Sequence, residues 1–383
     1  MNTTPRPGTG AQRGMSLIEV LVGVAIGLIG MLVIFQTLTV WDARTRATSA
    51  GSDAQVTGAV AMYNLERDLR LAGLGIGTRE GLDLGCTVNG WDNVASAAKS
   101  FPFQPVRILD NDATGMPDEI AVLYGNSTYF ADRQGFDGGA ASHTLQTSYN
   151  RIGFKAGDVA VLIGTTCDFV LVTDEASTAD KKTLSFINGT YADYYKNGAS
   201  VPARFNAASG IGGGYAGGGL LFNLGPMPHF NSWKVQPDGT LGFSDDFQLS
   251  QFFGIAEGVA GFKAQYGYDT NFDGRIDDTE WTKTLPATPD WTRLRAVRVA
   301  IAVRSRNFEK PGASSSVQQN YSAPNPTYTA SPASGPVNFV MRNVDGTLDS
   351  FAAGDPSPNN WRNYRYTVYE RVIPIRNVAW GAP

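Results

Sequence analysis

The strongest hydrophobic pattern in the chain is an uninterrupted apolar run near its N-terminus. From residue 20 to residue 35 no polar side chain occurs, and the wider stretch 17–40 adds a single charged residue, Glu19. About 20 helical residues suffice to cross a bilayer. Because Arg6 and Arg13 precede the run, the positive-inside rule keeps the N-terminus in the cytoplasm. The pattern therefore predicts a transmembrane helix over about 17–40, with the rest of the chain outside the cytoplasm.

Helical periodicity continues beyond the apolar run. Val56, Val60 and Tyr63 recur at helical spacing, and good helix formers follow them. Gly73 then favours termination of the helix. We predict one long helix over residues 15–72, embedded in the membrane in its first half and packed on a globular head in its second half.

After residue 77 the helical period is lost, and short runs rich in Val, Ile and aromatic residues take its place. Gly, Asp, Asn or Pro bound these runs, as is typical of β-strands. The predicted strands cover residues 119–124, 158–163, 168–173, 183–187, 259–268, 294–306 and 364–376. Two stretches, 207–219 and 310–336, have the composition of loops. The sequence thus predicts an α+β protein with a β-rich head at 73–383.

Charge and cysteine content narrow the class of protein. The formal net charge of the 383-residue chain is −4, so the basic footprint of a nucleic-acid-binding protein is absent and no direct nucleic-acid binding is expected. Both cysteines, Cys86 and Cys167, follow the apolar run. In an oxidising compartment they would pair and close a loop of about 80 residues. Two separate buried thiols are the alternative.

Residues 269–280, with the sequence DTNFDGRIDDTE, carry the most specific site motif. A twelve-residue calcium loop takes oxygen ligands from positions 1, 3, 5, 7, 9 and 12 and needs glycine at position 6. The ligand positions hold Asp269, Asn271, Asp273, Arg275 (through its carbonyl), Asp277 and Glu280, with Gly274 at the turn. No amphipathic helix flanks the motif, so it predicts a lone, structural calcium loop on the head. An acidic turn between two strands is the alternative.

No arrangement of residues indicates an enzyme. His143 and His229 lie in no nucleophile or metal motif, and neither GxSxG nor HExxH occurs. The adjacent carboxylates Asp245 and Asp246 are expected to lie in a solvated turn. The acidic stretch 110–119 is expected to form a turn before a strand. We therefore expect a protein without catalytic activity.

The position of Glu19 requires an explanation, because a charge inside a membrane segment costs roughly 3 kcal/mol on insertion scales. A secretory signal peptide would have a shorter apolar core and a nearby cleavage site, and a plain signal anchor does not explain the glutamate. A short basic leader ending in Gly14, followed by an apolar helix with glutamate at its fifth position, resembles a type IV prepilin.

The prepilin resemblance implies a processing pathway. Residues 1–14 would be a leader peptide that a prepilin peptidase removes after Gly14, and the new N-terminal residue, Met15, would be methylated. Glu19 would then neutralise the N-terminal amine of its own chain or of a neighbouring subunit, since opposite charges buried together cost less than either alone.

Four runs in the head resemble the PilW family of type IV pilus assembly proteins, which are large minor pilins. The runs are PDEIAVLYG, GDVAVLIGTTCDFVLVT, LRAVRVAIAVRSR and YRYTVYERVIPIRNV. The resemblance implies a single-pass inner-membrane protein with a periplasmic head that joins major and minor pilins in a pilus at the cell surface. A large minor pseudopilin of a type II secretion system and a membrane-anchored, calcium-dependent adhesin are the alternatives.

Overall fold

The structure is a computed structural model, and it describes most of the chain outside the leader and several loops. The described residues are 16–76, 84–111, 117–127, 133–137, 142–150, 153–174, 182–212, 215, 218–248, 251–306, 338–342, 348–352 and 366–379. The chain divides into two compact units, Met1–Ser52 and Asp53–Pro383. The predicted loop 310–336 and the predicted leader 1–14 lie outside the described residues.

The long predicted helix is present as α1 (Leu17–Leu71). Within the first unit, the stretch Leu17–Asp42 has a mean hydropathy of 2.7 and no buried residue, and it is long and apolar enough to cross a membrane. At the other end of α1, Gly73 adopts a left-handed φ of 81°, which stops the helix as the sequence predicts.

In the second unit, α1 packs on the head through a different face from the one that its periodicity suggests. Val56, Val60 and Tyr63, whose spacing identified the helix, are exposed by 61%, 44% and 68%. The side chains that enter the core are smaller or lie further along the helix: Ala54, Ala61, Met62, Leu65 and Leu69. The period therefore identified the helix but not its buried side.

A buried carboxylate adds a polar contact between α1 and the sheet beneath it. Asp68 is 1% exposed, and its Oδ2 accepts hydrogen bonds from Asn231 Nδ2 at 2.8 Å and from Trp233 Nε1 at 2.9 Å. Burial raises the pKa of Asp68, and these two hydrogen bonds offset only part of that rise. The helix is therefore held by hydrogen bonds to a largely dehydrated acid as well as by apolar packing.

The head is built from short strands, with one helical turn near the C-terminus. In chain order the described strands are β1 (Thr87–Asp92), β2 (Ala97–Pro102), β3 (Val106–Leu109), β4 (Glu119–Tyr124), β5 (Gln134–Phe136), β6 (Thr144–Gln146), β7 (Val159–Ile163), β8 (Cys167–Leu171), β9 (Thr183–Ser185), β10 (Thr190–Asp193), β11 (Ala199–Pro202), β12 (Gly219–Gly225), β13 (His229–Val235), β14 (Leu241–Asp245), β15 (Phe252–Ala256), β16 (Val259–Tyr268), β17 (Trp281–Thr282), β18 (Leu294–Arg304), β19 (Asn338–Arg342), β20 (Leu348–Ala352) and β21 (Tyr366–Pro374). The short helix α2 (Arg376–Ala379) follows.

Three larger sheets organise these strands within the described residues. Their orders are β2-β1-β8-β7-β12-β5, β15-β14-β13-β4-β3 and β17-β16-β18-β21. The pairs β10-β11, β19-β20 and β6-β9 form separate ribbons. All seven predicted strands are found, as β4, β7, β8, β9, β16, β18 and β21, each within two residues at either end. The α+β fold with a β-rich head is confirmed.

The two cysteines form the predicted disulfide. Cys86 directly precedes β1 and Cys167 begins β8, and these two strands are parallel neighbours. Their Cα atoms lie 6.4 Å apart, within the range that a disulfide bridges. The bond closes a loop across a sequence separation of 81 residues and ties two strands of the six-stranded sheet together. The alternative of two separate thiols is excluded.

Candidate calcium loop and assembly helix

The acidic motif lies in the connection between β16 and β17. Its backbone enters the left-handed region twice, at Phe272 with a φ of 64° and at Gly274 with a φ of 80°. Glycine adopts this conformation without the steric cost that a side chain brings, which explains its presence at the sharp turn. The chain thus reverses tightly over the first six residues of the motif, as a calcium loop requires.

Backbone N–H groups hold three of the predicted ligand side chains in a regular pattern. Asp269 Oδ2 accepts from Gly274 N at 2.9 Å, Asn271 Oδ1 accepts from Asp273 N at 2.9 Å, and Asp273 Oδ1 accepts from Arg275 N at 2.8 Å. Each of these contacts closes a turn of two to five residues. Asp269 is fully buried, whereas Asn271, Asp273 and Asp277 are exposed.

Glu280 closes the motif from its other end. Its Oε1 accepts from Thr270 N at 2.7 Å and from Thr270 Oγ1 at 2.7 Å, and its Oε2 accepts from Asp277 N at 3.0 Å. Burial raises the pKa of Glu280, but these hydrogen bonds outweigh that effect and hold the pKa below its ordinary value. The first and last ligand positions of the motif are thereby joined through Thr270, with Glu280 favoured in its charged form.

Two arginines outside the motif support its first residue. Arg293 Nε donates to the carbonyl oxygen of Asp269 at 2.6 Å, and the Arg293 guanidinium lies 3.8 Å from the centre of the Phe272 ring. Arg295 Nε lies 3.4 Å from Asp269 Oδ2. Neither arginine belongs to a site motif in the sequence. The only sequence signal for Arg295 is the alternation of arginine with apolar residues in the run LRAVRV, and Arg293 lies just before that run.

The donor set and backbone of the motif fit calcium, although the carboxylates do not converge. Asp269 is 0% exposed, and its Oδ1 has no hydrogen-bond partner among the described residues. A buried carboxylate oxygen in that state is costly and suits a cation. Within the part of the chain that the structure describes, no three His, Cys, Asp or Glu side chains form a group able to hold a metal ion. The oxygens instead satisfy N–H groups of the loop.

Asp245 and Asp118 make buried contacts outside the motif, and those of Asp245 differ from expectation. Asp245 is 4% exposed, and its Oδ2 lies 2.6 Å from His229 Nδ1, so the prediction that it lies in a solvated turn is wrong. In the stretch 110–119, Asp118 is 1% exposed and its Oδ1 lies 3.2 Å from Nζ of the fully buried Lys263. Both pairs are internal ion or hydrogen-bond contacts that pack the head.

Of the predicted assembly residues, the structure describes Glu19, which lies at the start of α1. Glu19 N donates to the Ser16 carbonyl at 3.0 Å and to Ser16 Oγ at 3.3 Å, so Ser16 caps the helix. Glu19 is itself exposed, and an acidic side chain suits the positive end of the helix dipole. Gly14 and Met15 lie outside the described residues.

Comparison with protein families bears directly on these features. Residues 245–377 match the model of the family described as Type IV Pilus-assembly protein W, and residues 10–35 match that of the Prokaryotic N-terminal methylation motif. The resemblance to the PilW family is confirmed. The PilW match covers about a third of the chain and contains the candidate calcium loop, β16, β18 and β21.

The chain is thus a type IV pilus-related, pilin-like protein, and its N-terminal helix is long and apolar enough to cross a membrane. The methylation motif includes both Gly14 and Glu19. No curated protein and no solved structure showed significant similarity to the chain.

Proposed function

We propose that the protein is a minor pilin that is built into the type IV pilus or its tip-priming complex. The observation that carries this proposal is the exposed apolar helix with Glu19 near its start, in the same chain as a PilW-type region. An acid at that position costs free energy in a lipid-facing anchor. It gains a partner when the amine of a processed N-terminus lies beside it.

Processing supplies that amine. A prepilin peptidase would cleave after Gly14, and Met15 would become the methylated N-terminal residue. The match of residues 10–35 to the N-terminal methylation motif supports this step. Before assembly the protein would lie in the inner membrane with its head in the periplasm, where the Cys86–Cys167 disulfide is stable. Its partners would be other major and minor pilins.

Calcium would have a structural role in the head. When bound, the ion would supply two positive charges to the oxygens of Asp269, Asn271, Asp273, Asp277 and Glu280 and to the Arg275 carbonyl. The buried Oδ1 of Asp269 supports this proposal, as do the turns that orient the odd-numbered positions. The ion would fix the connection between β16 and β17, and no catalytic role follows from it.

The decisive experiment for the minor pilin replaces Glu19 with alanine in cells that make pili. Assembly requires the acid, so we expect Glu19→Ala to remain in the membrane fraction and to disappear from sheared pili. Gln36→Ala, a change at another polar position of the same helix, is the control and should enter pili normally. Wild-type levels of Glu19→Ala in pili, with function retained, would instead support a membrane-anchored adhesin.

The calcium site is tested separately by calorimetric titration of the purified full-length chain with calcium chloride. Asp269→Asn together with Glu280→Gln should abolish binding, because both remove a ligand charge. Asp278→Asn removes the same charge from position 10 of the motif, which supplies no ligand, and should leave binding almost unchanged. Equal heats for the wild-type protein and the double variant would remove calcium from the proposal.

A pseudopilin of a type II secretion system shares the leader and Glu19 with this protein. The PilW match favours the pilus over that alternative. Copurification of the chain with pilus components, and not with secretion components, would be expected.

A further inference from the structure

The contact between Arg295 and Asp269 has a feature that an ordinary surface ion pair lacks. Asp269 is the first residue of the calcium motif, and its side chain is fully buried, whereas the Arg295 side chain is a quarter exposed. The two oxygens of the Asp269 carboxylate have different surroundings. Oδ2 accepts from Gly274 N and from Arg295 Nε, and Oδ1 has no partner among the described residues. One oxygen is neutralised and the other is left for a cation.

The backbone explains why Arg295 reaches this carboxylate. In the pairing of β16 with β18, Gly267 faces Ala296 and Tyr268 faces Leu294, so Arg295 is the extra residue of a β-bulge. A bulge redirects the side chain of the extra residue relative to the regular alternation of a strand. The Arg295 carbonyl also accepts from Ile375 N at 2.9 Å, which fixes this backbone position from the other side.

Arg293 provides a contrast two residues earlier. Its guanidinium contacts carbonyl oxygens of Asp269 and Thr270 and the face of the Phe272 ring, and none of these contacts is to a ligand carboxylate. Arg293 therefore holds the backbone frame of the loop. Arg295 alone of the two acts on the charge of the ligand at position 1.

We propose that Arg295 is a resident counter-cation of the calcium loop, which neutralises Asp269 in the metal-free protein and lowers the affinity of the loop for calcium. The proposal rests on the calcium site argued above. Two cations that share one carboxylate stand roughly 6 Å apart, and a divalent and a monovalent ion at that separation repel enough to weaken binding about tenfold in a water-like dielectric.

The role predicts two effects of opposite sign in a single variant. Arg295→Gln removes the competing charge, so calcium should bind about tenfold more tightly. The same change leaves Asp269 buried without a charge partner, so the metal-free protein should melt at a temperature roughly 5 °C lower. A residue with a purely structural role would lower the melting temperature without tightening calcium binding.

The experiment measures calcium affinity by calorimetry, and melting temperature in chelator and in saturating calcium, on the full-length protein in detergent. Arg107→Gln is the matched control, because Arg107 is an exposed arginine on β3, outside the motif. It should change both quantities less than Arg295→Gln does. Arg295→Lys, which keeps the charge, should resemble the wild-type protein in both quantities. It therefore separates an effect of the charge from a folding defect caused by any substitution at this position.

The outcomes separate this inference from the calcium site itself. Tighter binding with a lower metal-free melting temperature supports the counter-cation role. If the wild-type protein binds calcium and Arg295→Gln binds it equally or more weakly, the counter-cation role is wrong and the calcium site stands. If neither protein binds calcium, both proposals fail together.

Discussion

The buried carboxylate of Asp68 allows a quantitative test of how α1 is fixed to the head. Replacing it with alanine removes the acceptor for Asn231 Nδ2 and Trp233 Nε1, both of which lie on β13 beneath the helix. Each donor left unsatisfied in the interior costs about 1–3 kcal/mol. The variant also relieves the burial of a carboxylate, which offsets part of that cost. We expect a net loss of about 3 kcal/mol at pH 7.

The assay is thermal unfolding of the full-length protein in detergent, followed by circular dichroism. For a domain of this size, each kcal/mol corresponds to about 2 °C, so Asp68→Ala should lower the melting temperature by roughly 6 °C. Tyr63→Ala alters an exposed residue of the same helix and should cost less than about 0.5 kcal/mol. If Asp68→Ala melts within 1–2 °C of Tyr63→Ala, the buried hydrogen bonds of Asp68 contribute at most about 1 kcal/mol. That result would refute the claim that they hold α1 on the head.

Two further predictions concern the head. Burial raises the pKa of Asp118 to about 6, so the folded protein binds this proton more tightly than the unfolded chain does. The free energy of unfolding should therefore fall by at most about 3 kcal/mol as pH rises from about 4 to 6. Denaturant titrations of Asp118→Asn should show a flatter dependence of stability on pH. An unchanged profile in that variant would contradict the assignment. Replacing Cys86 and Cys167 with serine should lower the free energy of unfolding by about 4 kcal/mol, because the disulfide no longer restricts the unfolded chain. Denaturation midpoints equal to those of the wild-type protein would contradict this prediction.

The local hydrophobic pattern of the sequence was enough to predict the helix and strands that consist of nearly continuous apolar runs. The apolar run that became the first half of α1, and strands such as β16 and β18 with nearly continuous burial, all carry an unmistakable hydrophobic signal. The strand β13, with the sequence HFNSWKV, was missed because it carries polar residues that bond to buried partners such as Asp68. Such partners come from distant parts of the chain, so no local pattern reveals them.

The candidate calcium loop likewise has a part that the local sequence predicts and a part that depends on distant residues. Its ligand positions follow from the spacing of Asp, Asn, Gly and Glu alone, because the motif is contiguous. Arg295 could not be assigned, since a β-bulge redirects it and a bulge depends on strand pairing. The burial of Asp245 was likewise hidden, because its partner His229 belongs to the neighbouring strand β13.

The central claim is that this chain is a processed pilin subunit, and the N-terminus of the protein tests it most directly. Mass spectrometry of the protein isolated from cells with active prepilin peptidase should find a chain that begins at Met15 and carries an N-terminal methyl group. The acid of Glu19 would then have the amine that its position requires. A protein that retains Met1 and the leader in those cells would contradict the account.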